Sequence, residues 1–274
     1  MNAPAPSSAV PAAPATPVVP NLAHAFGGVW RLAFRRFLLP GHWLALAGMT
    51  AVFALLTLAN VRGPSAANHF YGWTAGFYLT FLVPILAFIS AGGALREEFK
   101  AATVDYVFTR PVPRPAFLLF RFLSHVACAQ LDFLLPFAVL WWTGVARHVD
   151  GLGAALPLLF FAQVLAIVAF GALGFLCAAL TSRYVIVGLV YGAVIELGVG
   201  QIPTQISRFS MIHQLRAMLQ SRLPHGQADW ADTVFVAAHG PALTAGILLV
   251  FAAVALGAAA AIFSWREFVG AQDA

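Results

Sequence analysis

Charge is what this chain has least of. Only 9% of its 274 residues are Asp, Glu, Lys or Arg, against about 25% in soluble domains, while 61% are hydrophobic. That balance excludes an ordinary water-soluble fold and belongs to the membrane class. Cysteine is scarcer still. Cys128 and Cys177 both lie inside apolar runs and read as small packing residues, which leaves no disulfide framework. There is one lysine, Lys100, in Glu98-Phe99-Lys100-Ala101, with no glycine loop before it. A P-loop needs Gly-x4-Gly-Lys-Ser/Thr, whose backbone cradles phosphate while the lysine reaches it. Nucleotide hydrolysis within this chain is therefore excluded, and any ATP dependence belongs to a separate subunit. No His-Glu-x-x-His, Gly-x-Ser-x-Gly or metal-spaced Cys pair occurs, and the eight His are scattered. The expectation is a chain that is not an enzyme and binds no metal or cofactor of its own. The net charge of +5 is spread over loops and flanks, so nucleic acid is not the expected partner.

What is present is length without charge. The runs Phe37–Val61, Gly63–Leu95, Gly151–Ser182 and Thr233–Trp265 each exceed the roughly 20 residues needed to cross a bilayer. Six spans are expected: Trp43–Ala59, Trp73–Ala94, Phe117–Gly144, Ala154–Leu180, Val185–Val199 and Ala242–Ser264. Residues 1–20, with six Pro and no charge, read as a disordered tail and not as a secretory signal; residues 21–274 form one membrane domain. Leu22, Phe26, Val29, Trp30, Ala33, Phe34 and Phe37 make an apolar stripe, with Arg31, Arg35 and Arg36 largely off it. This predicts an amphipathic helix in the interface ahead of the first span. In the loop Gln201–Gly240, Phe209, Ile212, Leu215, Leu219 and Leu223 recur at helical spacing and predict a second interfacial helix, on the outer side. Six spans put both termini on one side. With that side cytoplasmic, ten of the 15 basic residues are inside, the orientation that the bias of Lys and Arg favours.

Within the spans, polar residues are few enough to name. Arg121, Ser124, His125, Cys128 and Asp132 follow the i, i+3, i+4, i+7, i+11 spacing of one helical face. At 1.5 Å per residue Asp132 lies roughly 16 Å from Arg121, near mid-membrane. A carboxylate there must face protein or a water-filled path. The stripe reads either as a pathway or as polar glue between helices, the second being the plainer account. Glu196 shares a face with Gly188 and Gly192, whose small-x3-small spacing permits close helix approach. It points at another helix, as part of a subunit interface or of a cavity wall.

One stretch gathers the charge. Leu95–Arg121 holds eight of the chain's 25 Asp, Glu, Lys and Arg residues, flanked by long apolar runs. Arg96–Thr109 predicts a helix continuing from the second span, and Pro111, Pro113 and Pro115 then stiffen the turn into the third. Topology signals need only Lys and Arg, so three acids among the bases suit docking on a partner. Arg96-Glu97-Glu98, then Thr103, then Arg110-Pro111-Val112-Pro113-Arg114 resembles the segment between spans two and three in the permeases of ABC transporters of the type-2 exporter class. Ile206-Ser207-Arg208-Phe209-Ser210 and Phe263-Ser264-Trp265-Arg266-Glu267-Phe268 fit the same family. Phe99-Lys100 replaces the usual glycine after the paired acids, and Pro113 stands where a serine is common.

The resemblance implies an all-α, six-span inner (plasma) membrane protein, multi-pass, with both termini cytoplasmic. It implies a homo- or heterodimer of permeases among membrane lipids, driven by a cytoplasmic ABC ATPase that binds the ATP. Glu97, Glu98, Asp105, Arg110 and Arg114 would contact that ATPase. Arg121, His125, Asp132 and Glu196 are the candidates for a pathway or for interhelical polar contacts. Two alternatives use the same residues differently. One is an ABC-driven mechanical role in the envelope without solute transport; the other is an ion-coupled carrier using Asp132 and Glu196.

Overall fold

In a computed structural model, residues 22–63, 65–99, 112–201, 205–220 and 240–265 are described. Among them every regular element is helical. The order is α1 (Leu22–Phe37), α2 (Pro40–Asn60), α3 (Ala66–Glu98), α4 (Arg114–Ala146), α5 (Leu152–Leu180), α6 (Tyr184–Gly198), α7 (Met211–Gln220) and α8 (Pro241–Trp265). Of these, α2, α3, α4, α5 and α8 are long and apolar enough to cross a membrane, the build of a multi-pass membrane protein. The fifth expected span corresponds to α6, which has 8 residues of α-helix and 7 of π-helix and is too short to join that set.

Burial sorts the long helices. In α5 72% of the most apolar window is buried, in α2 only 17%, so α5 is the central post and α2 a peripheral one. A helix apolar on all sides suits that central place. The backbone of α3 lies directly on α5, since a Cβ on Gly174 would come within 2.5 Å of the Phe88 carbonyl oxygen. On the other side α5 packs against α8. Two clusters make the core. One, around Tyr78, Phe133 and Phe170, joins α2 through α8; the other, around Leu95, Phe122, Phe175 and Phe263, sits where α3 ends and α4 begins, here called the hinge end. There Phe99 and Phe117 both stack on Phe263, at 5.7 and 6.5 Å between ring centroids.

Proline shapes the second long helix. Pro84 has no N–H to give Thr80, and its ring crowds that carbonyl. The turns just before it, Thr74–Leu82, adopt the wider π-helical pattern, with the Val83 N–H reaching back five residues to Tyr78. The Thr80 hydroxyl likewise reaches back to the Ala75 carbonyl. The helix ends at Glu98, where Phe99 turns the chain at φ −87° and ψ 0°. The remainder of the helix expected to Thr109, with Asp105 and Arg110, lies outside the described residues.

The two amphipathic stripes both fall on helices. In α1, Ala33 and Phe37 are buried while Arg31 and Arg35 are exposed, and Phe26 meets Phe120 of α4 edge-on at 5.3 Å. In α7, Ile212, Leu215 and Leu219 are buried against α5 and α8. Phe209 differs from expectation: it belongs to the preceding 3-10 turn Gln205–Phe209 and is 76% exposed. Leu223 is outside the described residues.

Candidate functional site

At the hinge end, four charged side chains from three helices meet. Glu98 in the last turn of α3 is 4% exposed and Arg121 of α4 is 5% exposed, and Glu98 Oε1 lies 3.1 Å from Arg121 Nε. The contact is an ion pair without hydrogen-bond alignment. Arg121 also directs Nη2 at the Ala94 carbonyl, 3.5 Å away. Arg36 of α1 donates to Glu97 and places Nη1 3.8 Å from Glu98 Oε1. Two acids and two bases leave the cluster neutral, which is what makes a buried charge tolerable. The pairing is more than local, because the residues are contributed from positions 36, 97, 98 and 121.

The expected coupling residues are thus distributed unevenly. Glu97 is about half exposed and paired with Arg36, Glu98 is buried, and the exposed Arg114 donates to the Ser264 carbonyl at 3.1 Å, tying α4 to the end of α8. Asp105 and Arg110 are outside the described residues.

Farther along α4, two members of the polar stripe, His125 and Asp132, reach neighbouring helices. Ser124 donates back to the Phe120 carbonyl. His125 Nε2 lies 3.5 Å from Ser90 Oγ of α3. Cys128 is half-buried and, like Cys177, a free thiol. Asp132 Oδ1 is 2.8 Å from His42 Nε2, three residues into α2. The stripe is therefore the seam along which α1, α2 and α3 meet α4. The sequence marks Arg36 only as a base off the apolar stripe of α1, and gives no sign of its pairing with Glu97 or of His42 beside Asp132. A second interhelical contact also lacked any sequence signal: the Tyr78 hydroxyl donates to Gln163 Oε1 of α5 at 2.7 Å, both side chains being buried.

Glu196 occupies a different setting, away from the hinge end. Gly188 brings α6 against α3, for a Cβ there would fall 2.2 Å from the Phe88 ring. The π-helical turns Gly192–Gly198 then carry Glu196 inward, 3% exposed. Four donors reach its carboxylate: the Tyr191 hydroxyl at 2.8 Å, the Ser210 hydroxyl, and the backbone N–H groups of Met211 at 3.2 Å and Ile212 at 3.0 Å. The last two belong to the first turn of α7, whose N–H groups have no partner within the helix and favour an anion. Ser210 caps the same turn by accepting from the His213 N–H at 3.0 Å. Burial holds the Arg216 guanidinium of α7 below the ordinary arginine range, and the charge of Glu196 works against that shift.

Each carboxylate oxygen of Glu196 accepts two hydrogen bonds, so its acceptor capacity is filled. Chemically the group is an anchor for α7. Among the described residues no cluster of three or more His, Cys, Asp or Glu could hold a metal ion. The chain matches no model of a known protein family and no curated protein.

Proposed function

We propose that the chain is the membrane-spanning permease subunit of an ABC transporter of the type-2 exporter class, acting as a dimer with two ATPase subunits supplied in trans. In this reading α6 is the fifth of six crossings, and α1 and α7 lie at opposite membrane faces. The excess of basic residues on that side supports a cytoplasmic hinge end and cytoplasmic termini. One observation carries the proposal: the buried Glu98–Arg121 pair, with Arg36 beside it, joins the two helices that bracket residues 100–111 to the helix preceding α2. A push on that charged segment from an ATPase would move α1, α3 and α4 together and alter access along them. The absent P-loop supports a partner that hydrolyses ATP.

The test is purification of the tagged chain from its own membrane in mild detergent, followed by transport in sealed vesicles. Expected are a P-loop ATPase in roughly equal amount and ATP-driven movement that Glu97→Lys slows. A chain that purifies without any ATPase, and transports in response to a proton gradient alone, would overturn the proposal. The four donors on Glu196 already weigh against the ion-coupled carrier, because that carboxylate has no acceptor site to offer an ion.

A further inference from the structure

Between α3 and α6 the surface opens into a cleft of about 280 Å³. Its shape follows from the helices. Near the hinge end they touch, with Phe88 against Gly188 and the Tyr184 hydroxyl donating to the Ile89 carbonyl at 3.2 Å. Farther along, both helices turn π-helical, and residues of both π-helical stretches, Thr80 and Phe81 on one side and Gly192 and Glu196 on the other, help line the cleft. Gly192 lines the gap, and a Cβ there would meet nothing within 4 Å. The floor is Phe170 and Leu173 of α5, both nearly fully buried, while Phe81 and Leu189 on the rim are 54% and 65% exposed.

The polar groups at the cleft are already occupied. Glu196 is filled by four donors, and the Thr80 hydroxyl is spent on Ala75. A water would need two to four polar partners and finds at most the remaining lone pairs of the Thr80 and Tyr191 hydroxyls, so the cleft suits an apolar occupant. Its volume falls just under the roughly 300–1,000 Å³ of drug-sized pockets, which favours a slim chain over a bulky ring system. One wall, α3, is long and apolar enough to cross a membrane, and the other, α6, is apolar but for Glu196, which is buried. The medium at the mouth is thus hydrocarbon. We propose that the cleft is a lateral binding site for one alkyl chain of a membrane lipid. The proposal rests on the membrane reading alone and stands whether or not an ATPase drives the chain.

The test uses the full chain in phosphatidylcholine vesicles containing a phosphatidylcholine with a photoreactive diazirine in one alkyl chain. After irradiation, labelled residues are mapped by mass spectrometry. Label should concentrate on Phe81, Ile85 and Leu189 over Val250 and Val254 of α8, although those two valines are more exposed than Phe81 or Ile85. Gly192→Leu, whose Cβ has open space around it, puts a side chain at the cleft and should cut its labelling about tenfold, the effect of losing roughly 1.4 kcal/mol of binding. Gly246→Leu, on an open face of α8, should leave it unchanged. Ala193→Leu, at an exposed position lining the same cleft, repeats the test should Gly192→Leu fail to fold. Label spread evenly over all exposed helices would mean a lipid annulus only and would overturn the site. So would cross-links between the clefts of two copies in place of lipid adducts.

Discussion

The hinge-end cluster and the Glu196 site both bury carboxylates, and they neutralise them by opposite means. At the hinge end, charge is met by charge: Glu97 and Glu98 face Arg36 and Arg121, brought together from three helices. At Glu196, charge is met by uncharged donors, all from residues 191–212. The first arrangement fixes how distant helices sit against each other. The second fixes where one returning segment lands. Losing the first should therefore loosen the whole molecule, and losing the second should loosen α7.

The largest effect is expected from halving the buried ion pair. Arg121→Met leaves Glu98 buried with only Arg36, at 3.8 Å, and removing one partner of such a pair typically costs about 3–5 kcal/mol. Thermal unfolding of the purified protein would show the loss. Glu98→Leu combined with Arg121→Met should recover most of it, since an apolar pair of similar volume replaces a buried ion pair at little cost. If the pair serves coupling, that double variant will be stable and still unable to respond to an ATPase. A double variant as unstable as the single one would show that other contacts of Arg121 dominate.

Glu196→Ala comes next and should act locally. Hydrogen bonds to a charged group are worth about 1.5–3 kcal/mol each, and the four donors cannot all find new partners in a buried site. Hydrogen exchange at the Met211 and Ile212 amides should accelerate by about two orders of magnitude, because α7 opens without the rest unfolding. Exchange in the buried centre of α5 should stay unchanged. Equal acceleration in both places would erase the distinction between the two sites.

The two sites also differ in how far the sequence discloses them. Four of the five long helices follow from uncharged runs, α4 follows from apolar length despite Arg121 and Asp132, and the stripes of α1 and α7 follow from helical spacing. Arg121, His125 and Asp132 could be placed on one face of α4 by periodicity alone. Their partners could not, because His42 and Asp132 are 90 residues apart and only the packing of α2 on α4 joins them. Glu196 could be aimed inward from its glycines, yet its donors come from a return path that no spacing rule describes. The π-helical turns had one visible cause, Pro84, in α3 and none in α6.

Between the two sites along α4 lies a mixed case, the His42–Asp132 contact at 2.8 Å, half-buried and joining the peripheral α2 to the bundle. Asp132→Asn keeps the shape and removes the charge. If the contact behaves like the hinge cluster it should cost about 1–2 kcal/mol, the upper range for polar pairs inside membranes. If it behaves like a hydrogen bond between neutral groups, the loss falls to about 0.6 kcal/mol, a shift of only a degree or two. A cysteine cross-link between the start of α2 and the middle of α4 reports the same distinction geometrically.

The smallest effect tests whether neutral contacts matter to this fold at all. Tyr78→Phe removes the hydroxyl that reaches Gln163 and leaves the ring packed at 5.3 Å on Phe53. Interhelical hydrogen bonds in membrane proteins average about 0.6 kcal/mol, so a shift of a degree or two in the unfolding midpoint is expected. Gln163 is fully buried and its amide nitrogen already lacks a partner, so losing the tyrosine leaves both ends of the amide unsatisfied. That added penalty makes Tyr78→Phe costlier than Tyr78→Phe together with Gln163→Leu, an order the charged hinge pair shares and the self-contained Glu196 site does not. A double variant less stable than the single one would place Gln163 in some further contact and separate the core pair from the hinge pair in kind.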